Sequence, residues 1–113
     1  MNIQAMTPQS FKGAEVVLSK ASKKATYYPN LEKFLNKNQY VIENYADKHG
    51  FKKVMLDLRD GVKNKYNEHG DCLIIGSGPE PTVMKFDNTT SEAETSATIL
   101  GNIQKNYNLI HRK

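Results

Sequence analysis

The hydrophobic pattern changes its period along the chain, and this change constrains the fold more than any other feature. Between Asn30 and Gly50, apolar side chains recur every three or four residues. This spacing predicts an amphipathic helix with Asn30 as its N-cap and Gly50 just beyond its end. Residues 54–58 instead alternate between apolar and polar, as in a half-buried strand. The helical period returns after Ser91, whose spacing to Glu94 is typical of a helix-capping serine.

Further short segments predict additional strands. Residues 14–18 and 25–28 are interpreted as a hairpin around the polar segment 20–24. Residues 72–75 are continuously apolar, which predicts a strand covered on both faces, and residues 82–86 predict another strand.

Turn signals separate these segments. Asp60-Gly61 is a turn dipeptide, and the polar residues 62–70 are interpreted as a loop or a short extra strand. Because the strands are clustered and only two helices separate them, the sequence predicts an α+β fold. We expect four or five short strands in one mainly antiparallel sheet, with both amphipathic helices on one face. Residues 1–10 are predicted to form a flexible tail and residues 11–113 a single domain.

The composition is that of an ordinary water-soluble protein. The longest apolar run is Cys72-Leu73-Ile74-Ile75, whereas a transmembrane helix needs about 20 apolar residues. Cys72 is the only cysteine, so an intramolecular disulfide is excluded. The first ten residues lack the basic start and apolar segment of a secretory signal. Together these features predict a cytoplasmic protein.

The net charge of +4 is unevenly distributed: residues 1–65 carry +6 and residues 66–113 carry −2. Such asymmetry favours an anionic partner, since lysines neutralise phosphates and tyrosines stack on bases. The alternative interpretation is solubilising surface charge. The candidate residues for contact with an anion or a nucleic acid are Lys20, Lys23, Lys24, Tyr27, Lys52, Lys53 and Arg59.

Two local groupings resemble ligand sites only in part. Residues 76–81 are rich in glycine, but they lack the third glycine of a dinucleotide-binding loop, and two prolines remove backbone N–H donors. They are interpreted as a connection between strands. His69, Asp71 and Cys72, with Glu68 beside them, form one cluster, whereas structural zinc sites usually take ligands from two separated pairs. We therefore expect no metal site, and no cofactor motif occurs.

Catalytic chemistry has one candidate pair. Asp57 and Asp60 lie near the end of a predicted strand, where carboxylates can act in acid–base chemistry or hold magnesium. Arg59 lies two residues from Asp57, so a simple surface ion pair is the alternative interpretation. Cys72 is interpreted as a small buried hydrophobic residue rather than as a nucleophile.

These observations favour a non-enzymatic binding or protein-interaction module, acting through a protein partner or through self-association. Nucleic-acid binding and a small hydrolase or nuclease using Asp57 and Asp60 are the alternatives. Two helices cover only one face of a sheet, so an apolar second face would need another cover. Met55, Tyr66 and Met84 are the candidates for such a surface.

Overall fold

The computed structural model describes residues 14–19, 28–63, 69–87 and 89–111, with the backbone alone at residues 28, 60–63 and 69–71. Six elements follow one another along the chain. They are β1 (Glu15–Leu18), α1 (Tyr28–Lys48), β2 (Lys53–Lys63), β3 (His69–Gly76), β4 (Thr82–Lys85) and α2 (Glu92–His111).

The four strands form one mixed sheet in the order β1-β2-β3-β4. The β2–β3 and β3–β4 contacts are antiparallel, and both helices pack on one face, so the predicted α+β fold is confirmed. β1 instead pairs in parallel with β2, placing Val16 opposite Val54 and Leu18 opposite Leu56. The hairpin predicted between residues 14–18 and 25–28 stays a prediction, because residues 20–27 lie outside the described residues. Tyr28, the last residue of its second predicted strand, belongs to α1 instead. Parallel pairing allows Val16 and Leu18 to join the core beneath the helices.

Helix α1 begins at Tyr28, two residues before the predicted N-cap Asn30. Pro29 is tolerated there because the first helical residues have no intrahelical acceptor for their N–H groups. The C-terminal end follows the prediction, since Gly50 has a φ of 84°. Its N–H donates to Asp47 O, and the next N–H, that of Phe51, donates to Ala46 O at 2.9 Å. This is the Schellman arrangement, in which a left-handed glycine ends the helix.

Helix α2 begins as its sequence predicts. The Ser91 hydroxyl accepts a hydrogen bond from Glu94 N at 3.0 Å, so Ser91 caps the first turn. The reciprocal hydrogen bond, from Ser91 N–H to the Glu94 carboxylate, is not among the hydrogen bonds of the described residues. Thr95 N donates to Ser91 O and continues the helical ladder.

Strand β2 continues through the predicted turn at Asp60-Gly61. Arg59 lies opposite Cys72 and Val62 lies opposite Gly70, so two residues of β2 face one residue of β3. This is a β-bulge, which absorbs the extra residue without ending the strand. The turn prediction is therefore wrong, and the ends of the predicted 62–70 loop belong to β2 and β3.

The core lies between the sheet and the helices. Leu56, Leu73 and Ile75 are fully buried from the sheet side, and Leu31 and Ile103 are fully buried from the helix side. Cys72 and Ile74, on the opposite side of β3, are only half-buried. The predictions of a strand covered on both faces and of a buried Cys72 are therefore wrong, although β3 does lie inside the sheet. Neither helix is long and apolar enough to cross a membrane.

Candidate functional site

The sheet has a second face that no helix of the described residues covers. Alternation along the strands directs Leu56 toward the helices and its neighbours Met55 and Asp57 away from them. We call the surface on this side the open face. Its described side chains come from all four strands: Glu15, Val17, Ser19, Lys53, Met55, Asp57, Arg59, Cys72, Ile74, Val83 and Lys85.

Four aliphatic or thioether side chains run across the open face. Val17 is paired with Met55 on the neighbouring strand, and Ile74 is paired with Val83. The two pairs lie diagonally to each other, because Met55 is opposite Gly76 and Ile74 is opposite Asp57. Val83 is 63% exposed, and the other three are half-buried. An apolar row on a sheet face is typical of a surface that packs against another element.

The structure corrects one of the predicted surface residues. Met84 is only 8% exposed, because its side chain points toward the helices and joins the core. Met55 lies on the open face as predicted, and Tyr66 lies outside the described residues.

Asp57 is held by neighbours on the open face. One carboxylate oxygen accepts a hydrogen bond from Ser19 Oγ at 2.6 Å, and the other accepts from Arg59 Nε at 2.8 Å. The side chain of Asp57 is 16% exposed and that of Arg59 is 56% exposed. Both carboxylate oxygens of Asp57 thus have a partner within the protein, and the side chain of Asp60 lies outside the described residues. The catalytic hypothesis stays a prediction.

The structure separates the predicted cationic residues. Lys52 and Lys53 are exposed where β2 begins, just beyond the end of α1. Arg59 lies six positions along the same strand, about 20 Å away at the usual rise per residue, and pairs with Asp57. The remaining candidates, Lys20, Lys23, Lys24 and Tyr27, lie outside the described residues.

Two buried asparagines of α2 hold the loop between β3 and β4. Asn102 Oδ1 accepts hydrogen bonds from the backbone N–H (3.1 Å) and the hydroxyl of Ser77, while its Nδ2 donates to Glu80 O (2.9 Å) and Thr82 Oγ1 (2.8 Å). Asn106 Oδ1 accepts from Glu80 N at 2.8 Å, and its Nδ2 donates to Glu80 O at 2.9 Å. The polar atoms of both amides have partners within the protein, so this network fixes the loop and leaves no donor for a ligand.

The same network explains a glycine of the loop. A Cβ at Gly78 would lie 2.8 Å from Asn106 Cβ and 2.9 Å from its Cγ, closer than real contacts allow. Gly78 therefore serves close packing on α2, whereas a Cβ at Gly76 would meet nothing within 4 Å. The interpretation of this segment as a connection between strands is confirmed. Sequence reasoning missed the two asparagines, whose only signal is their four-residue spacing on one side of a helix.

The ends of both helices bring four rings together. Lys37 contacts Glu92 and Tyr45 donates to Gln104 Oε1, so the helices run parallel and their C-terminal ends lie side by side. The ring centroids of Tyr45 and His49 are 4.3 Å apart, and the row continues through Tyr107 (4.9 Å) to His111 (4.2 Å). We call these four residues the ring row. His49 Nδ1 lies 2.7 Å from Tyr45 O, so this nitrogen carries the hydrogen and donates it.

The N-terminal ends of the helices enclose a shallow cavity of about 200 Å³. Its lining is mixed, with Phe34 and Phe86 beside the charged Lys33 and Glu92. The buried hydroxyl of Thr95 donates to Ser91 O at 2.9 Å and is thus satisfied within the helix.

Within the described ranges, no three histidine, cysteine, aspartate or glutamate side chains come together as a metal site. The side chains of His69 and Asp71 are not described, so the predicted lack of a metal stays a prediction for them. No protein-family model, no curated protein and no solved structure matches this chain.

Proposed function

We propose that this protein is a non-enzymatic interaction module that binds a protein partner through the open face. The observation that supports this proposal is the apolar row of Val17, Met55, Ile74 and Val83, on the side of the sheet opposite the helices. Burying such a row against a partner is favourable, because apolar surface leaves water.

The size of the open face favours a short partner segment. Four strands spaced about 4.8 Å apart, with four rows of described side chains, make a surface of about 20 by 27 Å, or about 540 Å². A stable complex between globular proteins buries about 800 Å² on each partner, about one and a half times that area. One amphipathic helix, about 10–12 Å in diameter, fits the open face and covers the apolar row. We therefore propose an amphipathic segment of another protein as the occupant.

Among the described strands, β1 forms one edge of the sheet, and this edge is a less suitable docking site. The backbone N–H of Val16 donates to the Glu43 carboxylate of α1 at 3.2 Å, so this donor is already occupied. Glu43 thereby opposes pairing with an added strand, as side chains at sheet edges commonly do. Binding of a partner to the open face does not require the hydrogen bond between Val16 N–H and Glu43 to break.

The proposal is tested by selecting amphipathic peptides from a displayed library on the purified protein. Val83→Asp places a charge within the apolar row without entering the core, because Val83 is 63% exposed. Val41→Asp is the matched control, since Val41 is 55% exposed on α1. We expect selected peptides to lose at least about tenfold in affinity for Val83→Asp, as expected for a charge buried against apolar surface, and to keep their affinity for Val41→Asp.

Amide chemical shifts measured with a bound peptide should change along β3 and β4 and stay constant on the outer surface of α1. Equal binding to both variants, shifts confined to the helices, or a library that yields no binder would each refute the proposal. Light scattering at rising protein concentration addresses self-association. A dimer that Val83→Asp dissociates would assign the open face to a second copy of this chain instead.

A further inference from the structure

The ring row is a partly exposed aromatic surface at one end of the molecule. Tyr45, His49 and Tyr107 are half-buried, whereas His111 is exposed and ends the row. The ring of His49 meets that of Tyr107 edge-on, at an interplanar angle of 85°, and the ring of His111 is tilted by 42° against that of Tyr107. The exposed imidazole of His111 therefore extends a preformed stack of rings.

Three exposed lysines lie near this end of the molecule, where Asp47 is the exposed acidic residue of the last turn of α1. Lys48, Lys52 and Lys53 are exposed, and none forms a salt bridge with another described residue. Lys48 complements the negative C-terminal end of α1, as basic residues in a last helical turn do. Lys52 and Lys53 follow the helix, so the helix dipole does not account for them. In the sequence, Arg112 and Lys113 directly follow His111 and add two further positive charges.

We propose that this basic end binds single-stranded nucleic acid. Lys48 and Lys52 would neutralise phosphates, and an unpaired base would stack on His111, the outermost ring of the row. The bases of a duplex are already stacked, so the ring row favours single strands. This proposal uses a surface different from the open face, and it does not depend on the proposed protein partner.

Fluorescence anisotropy with labelled oligonucleotides of about 16 nucleotides tests this proposal. Oligo(dT), oligo(rU) and a duplex of equal length are compared at about 50 and about 200 mM salt. Contact with two or three phosphates of a single strand weakens binding about 7- to 18-fold over this range, from a slope of about 0.7 per phosphate. The ratio of the dT and rU affinities shows whether the protein prefers a DNA or an RNA single strand.

Three variants separate the contributions of phosphate contacts and of base stacking to the affinity for single strands. In Lys48→Gln/Lys52→Gln the salt slope should decrease by about 1.4, since two phosphate contacts are lost. His111→Ala should weaken single-strand binding by at least about fivefold with an unchanged slope, because stacking carries no charge. Lys33→Gln/Lys37→Gln removes two exposed lysines from the other half of α1 and should leave the slope unchanged.

The proposal is overturned if no binding occurs at either salt concentration, or if both lysine pairs lower the slope equally. It is also overturned if duplex and single strand bind equally while His111→Ala has no effect. The Val83→Asp variant should bind oligonucleotides like the wild type, so a failure of one proposal is distinguishable from a failure of the other.

Discussion

Replacing Asn102 by alanine should destabilise the protein through one buried N–H group. The side chain of Asn102 is 1% exposed, and its Oδ1 is the acceptor for Ser77 N at 3.1 Å. Without this acceptor the Ser77 N–H stays buried and unpaired, because Ser77 is only 8% exposed. Such an orphaned donor costs about 1–3 kcal/mol.

The two hydrogen bonds that Asn102 Nδ2 donates contribute less to the free energy of unfolding. Glu80 O still accepts from Asn106 Nδ2, and Thr82 Oγ1 still accepts from Lys105 Nζ at 3.2 Å. Losing a hydrogen bond while the acceptor keeps another partner costs about 0.5–1.5 kcal/mol. The network is therefore expected to contribute about 2–4 kcal/mol to the free energy of unfolding, a large share of the 5–15 kcal/mol typical of a domain.

Asn108→Ala is the matched control, because Asn108 is exposed on the same helix and pairs only with Gln104 Nε2. Both substitutions gain the same helix propensity of about 0.6 kcal/mol, so the difference between the variants isolates the network. Urea unfolding followed by circular dichroism measures both free energies. Thermal unfolding should show Asn102→Ala melting about 8–16 °C below the control.

Equal urea midpoints for Asn102→Ala and Asn108→Ala would refute this reasoning. The exchange rate of the Ser77 amide hydrogen gives a local check. It should rise in Asn102→Ala and stay slow in the control, and slow exchange in both variants would show that another group accepts this N–H.

Two further predictions concern the helix ends and interiors. Gly101→Ala should raise the free energy of unfolding, measured by urea titration, by about 0.5–1 kcal/mol. A Cβ at this position meets nothing within 4 Å, and α2 gains helix propensity. Gly50→Ala should lower the free energy of unfolding by about 1 kcal/mol, because the φ of 84° suits glycine alone. A stabilised Gly50→Ala or a destabilised Gly101→Ala would contradict these backbone arguments. Hydrogen bonds from the side chain and the backbone of Thr89, and then from Thr90, lower the pKa of Asp87 below the 3.8 of an unperturbed aspartate. The contribution of Asp87 to stability should be complete above the pKa of this group in the unfolded chain, and it should be lost as the pH falls through the lower pKa in the folded protein. A carboxyl NMR titration of Asp87 with a midpoint at or above 3.8 would contradict this prediction. Asp87→Asn should remove this part of the acid dependence of stability.

Local features of the sequence determined the two helices. The three- and four-residue period of both helices, the cap at Ser91 and the left-handed end at Gly50 depend on residues only a few positions apart. Such short-range preferences hold in many tertiary contexts, so the helices can be predicted from the sequence. The error in the predicted helices, the start of α1 at Tyr28 rather than after Asn30, lies at a helix boundary, where these preferences are weakest.

The faces of the sheet illustrate what the local pattern leaves open. In the four-residue strand β4, Met84 and Val83 are both apolar, and alternation alone does not say which one points inward. The pairing of Val83 with Ile74 decides it, and this places Met84 in the core and Val83 on the open face. The parallel partner of β1 is decided in the same way, by burial beneath the helices.

The tertiary structure alone assembled the candidate surfaces. Asn102 reaches Ser77 across 25 positions of the chain, and Tyr45 reaches Gln104 across 59. His49 and His111 lie at the ends of separate helices and meet the same tyrosine only because those helices run parallel. Contacts at such separations depend on how the elements pack, because no property of the neighbouring residues encodes their partners.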